Sequence, residues 1–180
     1  MTVGVGTISA EHADLLKACE TALWQGLAQA RGGRRLGDIS HAVEASVLQS
    51  GRYGVVEEYT GHGIGTAMHM DPPVPNYGRP GRGPRLRPGM ALAIEPMITF
   101  GSPETVLLDD DWTVITADGS WAAHFEHTVA ITPDGPWVLT EEDCAGPGGR
   151  PPALLPRGTI PPALGAVAEP APPGRGPRPS

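Results

Sequence analysis

A chain of 180 residues with a net charge of −7 has the length of a single domain, and its acidity excludes a general nucleic-acid binder, which needs clustered cations. Two cysteines, Cys19 and Cys144, give neither a disulfide framework nor a Cys-x-x-Cys metal spacing. No apolar run reaches the roughly 18 residues of a membrane span, and no signal-peptide pattern opens the chain, so a reducing, cytoplasmic setting without membrane contact is expected.

Residues 1–8 alternate, with Val3 and Val5 on one face, which predicts a short strand. Ser9 is placed to cap a helix over residues 10–31, whose stripe is Leu15, Leu16, Cys19, Leu23 and Leu27 and whose stop is Gly32-Gly33. A second helix over 36–50 carries Leu36, Ile39, Val43 and Val47 and ends at Gly51. Residues 53–56 predict a strand that feeds the stretch YTGHGIGTAMHMDPP, residues 59–73. Its three glycines around His62 predict a tight loop built on that histidine, with His69 close behind. Residues 71–89 read as a proline-rich connection carrying Arg79, Arg82, Arg85 and Arg87. Those arginines fit an acidic partner such as ribosomal RNA, or simply a solvated loop, which is the commoner case.

From Met90 the pattern is a β meander. Ala91, Ala93 and Glu95 share one face of a strand, so Glu95 has small neighbours and room for something bulky. The run Asp109-Asp110-Asp111 between two short strands reads as a charged hairpin tip. A strand over 124–131 puts Glu126 and His127 on opposite faces, and a turn at 133–135 leads to a last strand at 137–140. The domain is therefore expected over residues 1–142, followed by a disordered Pro/Gly-rich tail over 143–180.

A carboxylate inside an apolar strand is costly unless a cation meets it, and this holds for both Glu95 and Glu126. Together with His62 they form an imidazole–carboxylate set suited to Mn, Fe, Co or Zn. The residues alone leave a metal site, edge carboxylates facing water and a satisfied polar histidine all open.

The motifs GHGIGTAMH, ALAIEPMIT and AAHFEHTVAIT, in that order, resemble those of the type I methionine aminopeptidases of the pita-bread metallopeptidase family. The separations, 33 residues from His62 to Glu95 and 31 from Glu95 to Glu126, are similar too. The resemblance implies an α+β fold, the C-terminal portion of a pita-bread domain with two helices packed on a curved antiparallel sheet. It implies a site with normally two divalent metals, ligated by His62, Glu95 and Glu126, that activate water against the first peptide bond of nascent proteins. Glu95 would also shuttle the proton, His69 would contact the scissile amide, and Tyr59, Met68 and Trp112 would line the methionine pocket. For Met68 and Trp112 ordinary packing stands beside that role.

The family's two aspartate ligands and its amine-binding histidine precede the stretch matched here, so the chain is expected to be a fragment or to start at an internal methionine. As written it would be weakly active or inactive. The implied partners are N-terminal peptides and the ribosome, with no specific nucleic acid. The alternatives are a non-catalytic peptide- or ribosome-binding pseudoenzyme, or a structural protein with a fortuitous Gly-His loop.

Overall fold

The computed structural model describes residues 1–141. The tail expected over 143–180, with Cys144, lies outside them. Two helices come first, α1 (Ala10–Gln29) and α2 (Leu36–Ser50). The Ser9 side chain accepts the His12 amide at 3.2 Å, the expected cap of α1, and Gly51 follows α2 at φ 156°. Ten strands follow: β1 (Gly54–Val55), β2 (Gly61–Ile64), β3 (Met70–Val74), β4 (Ala91–Ile94), β5 (Met97–Thr99), β6 (Thr105–Leu107), β7 (Val114–Thr116), β8 (Ala122–His124), β9 (His127–Thr132) and β10 (Gly135–Val138).

The antiparallel strands form three pieces: five strands in the order β10-β9-β4-β2-β3, three in the order β1-β5-β8, and the hairpin β6-β7. The helices cover one face of this assembly. Leu23, Leu27, Ile39, Val43 and Val47 from α1 and α2 form one buried cluster with Leu92, Ile94, Ile98, Val129 and Ile131 from the sheets. Each such side chain, removed from water, contributes about 1.5–3 kcal/mol. The apolar periods that predicted the helices are therefore the ones that bury them.

Three expectations are corrected. Residues 1–8 form no strand, because no described segment pairs with them. Their tie to the body is Thr2, whose hydroxyl accepts the His124 amide (2.9 Å) and donates to the His124 carbonyl (3.1 Å). Val3 and Val5 stay exposed. The Gly-His stretch is a strand, β2, rather than a loop, because it lies between β3 and β4. A Cβ on Gly61 would run into the Ala93 carbonyl and one on Gly63 into the Asp71 carbonyl, so these glycines serve close strand approach. The proline-rich connection likewise opens with a strand, β3, at the sheet edge where prolines are tolerated.

Candidate metal centre

The fourth correction concerns the two glutamates. Neither sits inside a strand: Glu95-Pro96 separates β4 from β5, and Phe125-Glu126 separates β8 from β9. Pro96 has no N–H to donate to a ladder, which accounts for the interruption on its side. The register nevertheless runs straight through. Ile94 is paired with His127 on one side of the gap and Met97 with His124 on the other, so Glu95 faces Glu126.

His62 joins them from the neighbouring strand. It is paired with Ala93 across β2 and β4, and Ala93 with Thr128 across β4 and β9, so these side chains share a face. Glu95 lies two residues beyond Ala93 on that same face, and the methyl group between leaves the space open. One ligand atom from each of His62, Glu95 and Glu126 lies within 4.8 Å of the others. They line an open cleft of about 510 Å³ with Gly65, Met68, His69 and Thr128.

The hydrogen bonds around the cleft aim its donors. His62 Nδ1 lies 3.0 Å from the Gly63 carbonyl, which can only accept, so Nδ1 carries the proton. In the neutral ring that leaves the Nε2 lone pair facing Glu95 Oε1 at 3.4 Å. Two carboxylates and a lone pair aimed into one space repel each other unless a cation lies between them. The residues therefore fit a divalent metal ion. Behind them, Asn76 is buried and donates from Nδ2 to the Glu95 carbonyl at 3.2 Å. Cys19, buried in α1, points its thiol at the Pro96 carbonyl (3.2 Å) and the Ala123 carbonyl (3.4 Å). Burial pushes the Cys19 thiol up to about 12, against the opposing pull of backbone hydrogen bonds.

His127 faces the core, opposite in sense to Glu126, as the alternation predicts. Its ring lies 5.3 Å from that of Trp24, Nδ1 meets Thr140 Oγ1 at 2.8 Å and Nε2 meets Glu141 Oε2 at 3.2 Å. Burial lowers the His127 pKa, with the Glu141 carboxylate opposing.

The other expected site residues divide. His69 packs edge-on against His62 with ring centroids 4.3 Å apart, and Met68, 71% exposed, lines the same cleft. Tyr59 borders an adjoining apolar pocket of about 280 Å³ shared with Met97, Thr99, Ile115 and His124. Trp112 stands 86% exposed between β6 and β7 and lines neither space. Sequence reasoning missed His124. Its enclosed Nε2 lies 3.4 Å from Glu95 Oε2, so the Glu95 carboxylate is spanned by two imidazoles. Position 124 shares the parity of Glu126, which was the available signal.

The model of metallopeptidase family M24 matches residues 1–133. The chain belongs to this family. It is 54% identical over 145 residues to methionine aminopeptidase 1 of Mycobacterium tuberculosis, covering 78% of this chain and 54% of that protein. It is 50% identical over 139 residues to methionine aminopeptidase 1 of Bacillus subtilis, covering 77% and 56%. The fold is similar to the methionine aminopeptidase structure from Thermotoga maritima, with a TM-score of 0.74 at 43% identity over 77% of this chain and 55% of that one. The two helices and antiparallel sheets are thus the α+β arrangement of part of a pita-bread domain. The chain spans about half the length of the curated relatives it matches. Among the described residues no helix is long and apolar enough to cross a membrane.

Proposed function

We propose that this chain carries the His62–Glu95–Glu126 part of a metal-dependent aminopeptidase site, and that the complete enzyme removes the N-terminal methionine from nascent polypeptides in the cytoplasm. The observation that carries the reading is the pair of carboxylates facing each other across the ladder gap with the His62 Nε2 lone pair beside them. The methionine aminopeptidases at 50% and 54% identity support the substrate class.

His62, Glu95 and Glu126 would hold Co, Mn, Fe or Zn, normally as a pair of ions. Bound there, divalent metal supplies Lewis acidity toward a carbonyl and lowers the pKa of water. Glu95, held from behind through its carbonyl by Asn76, is the group placed to take a proton in the cleft and return it to the departing amine. His69, braced on the His62 ring, donates to the scissile amide. Met68 offers a pliable apolar wall for a methionine side chain. Tyr59 has a secondary place beside that wall, through the adjoining pocket, and Trp112 is left out of it. The two further aspartate ligands implied by the family resemblance would come from the share of the relatives' length that this chain does not span. Proteins emerging at the ribosome are the natural source of the substrate.

Release of methionine from Met-Ala-Ser with added Co or Mn tests the proposal. The chain alone is expected to show little turnover, and the chain joined to the upstream part of a relative is expected to be active until Glu126→Ala removes activity. A joined, folded protein that releases no methionine would end this reading. Turnover by the chain alone equal to that of the joined protein would overturn the ligand argument. The three-ligand set also favours a second reading, a peptide-binding pseudoenzyme, for which the joined protein would bind metal and peptide without turnover.

A further inference from the structure

Seven of the chain's 13 cationic residues lie in two short segments, three in residues 31–35 and four in residues 79–87. The fold zips these segments together. Gly33 donates to the Leu86 carbonyl (2.9 Å), Leu86 to that of Arg34 (2.8 Å), Leu36 to that of Pro84 (3.0 Å) and Gly37 to that of Arg82 (2.9 Å), with an antiparallel bridge between Arg35 and Arg85. The result is a single basic surface at the start of α2 and ahead of β4. The cleft lies at the other end of β4, past Ile94.

Three of the seven arginines have structural work. Arg31 Nε donates to the Ala28 carbonyl at the end of α1 (3.1 Å), Arg35 Nη1 to the Gly83 carbonyl (2.7 Å) and Arg85 Nη1 to the Gly33 carbonyl (3.2 Å). Arg34, Arg79, Arg82 and Arg87 are exposed, and among the described residues their side chains meet no hydrogen-bond or ion-pair partner. Of the carboxylates nearby, Asp38 is occupied by the amides of Arg35 (2.9 Å) and Gly81 (2.7 Å), Glu44 accepts the Gly78 amide (3.0 Å), and Asp134 lines a pocket with Arg31. The positive end of the α2 dipole falls in the same place and adds to the field.

The chemistry of the surface selects its partner. Apart from arginine, the exposed residues of these segments are only glycine and proline. Protein hot spots ordinarily set aromatic anchors beside arginine, and these segments expose no aromatic residue. A phosphate backbone needs only guanidinium forks, which grip phosphate oxygens in pairs. The chain as a whole carries a net charge of −7, so its surface away from these arginines repels a polyanion and confines it to this place. We propose that the surface of Arg34, Arg79, Arg82 and Arg87 binds the phosphate backbone of a nucleic acid without reading its sequence. This does not depend on metal or on peptidase activity. Overall acidity had argued against such a partner; the local gathering of cations reverses that expectation.

The test is anisotropy titration of the full chain with a labelled RNA hairpin, a DNA duplex of matched charge and poly-glutamate, each over a range of salt. The wild type is expected to bind nucleic acid at low ionic strength with a log–log salt slope of about −3.6 on the duplex, from four phosphate contacts. R34Q/R79Q/R82Q/R87Q is expected to lose at least tenfold in affinity and most of that slope. R34K/R79K/R82K/R87K keeps the charge and is expected to retain binding, which separates loss of contact from loss of fold. The RNA and DNA arms identify which backbone is preferred. Equal binding by wild type and the glutamine variant, no binding of either nucleic acid at low salt, or poly-glutamate bound as tightly as nucleic acid would each overturn the proposal.

Discussion

Glu95 and Glu126 stand opposite one another across a gap in an otherwise continuous antiparallel register, bounded by the pairs Ile94–His127 and Met97–His124. Like charges directly opposed in a ladder cost about 0.2–1 kcal/mol. Without metal this pair would weaken the fold, and with metal it would hold the ion. Glu126→Gln is therefore expected to raise the melting temperature by a few degrees in EDTA, and to remove the rise that Mn or Co gives the wild type. Differential scanning fluorimetry with and without chelator checks both. A variant less stable than wild type in EDTA would mean the pair is not repulsive.

Gly61 is held against the Ala93 carbonyl, next to the proposed ligand His62. Gly61→Ala forces β2 away from β4 and is expected to cost about 1–3 kcal/mol in a urea titration, as overpacking does. Because β2 carries His62, the same change is expected to weaken metal binding. A variant of unchanged stability would show that the strands have room to part.

Asn76 is buried and bonds the Glu95 carbonyl. Asn76→Ala leaves that carbonyl without its side-chain donor and is expected to cost about 1–3 kcal/mol. Metal affinity should fall with it, since Glu95 loses its backing. Calorimetry on the folded variant separates the two effects. Unaltered affinity would confine Asn76 to a packing role.

Cys19 provides a pH signature. Its thiol sits near 12 in the folded chain against 9.0 as the ordinary value, chiefly through burial. The folded state favours the neutral thiol, so this contribution is complete below pH 9 and is lost as pH rises from there toward 12. Urea midpoints are expected to fall over that alkaline range in the wild type and to fall less in Cys19→Ala. Alkylation of Cys19 in the native chain should be slow at neutral pH and fast in denaturant. Rapid alkylation of this thiol without denaturant would contradict its placement.

Much of the helical half was legible because its signals are local. Ser9, Gly51 and the leucine–valine periods mark α1 and α2 to within about two residues. The sheet was less legible because its signals are not. Glycines 61 and 63 read as a loop until β3 and β4 are seen pressing on them, and Pro72-Pro73 hides an edge strand. Val3 and Val5 alternate like a strand but pair with no strand among the described residues. Alternation correctly placed Glu95 beside Ala93 and turned His127 away from Glu126. It could not disclose the gap at Pro96, and with it the way the two glutamates meet, because register is a property of two segments and not of one. His124 was missed for a related reason: its significance comes from Met97 across the ladder, which brings it beside Glu95.

His62, Glu95 and Glu126 are proposed to bind divalent metal together. Isothermal titration of Mn or Co into the metal-free chain tests it most directly, with His62→Ala, Glu95→Gln and Glu126→Gln alongside. Saturable binding is expected for the wild type, with at least a tenfold loss of affinity in each variant while the fold is retained. Absent binding in the wild type, or equal affinity in all four proteins, would contradict the proposal.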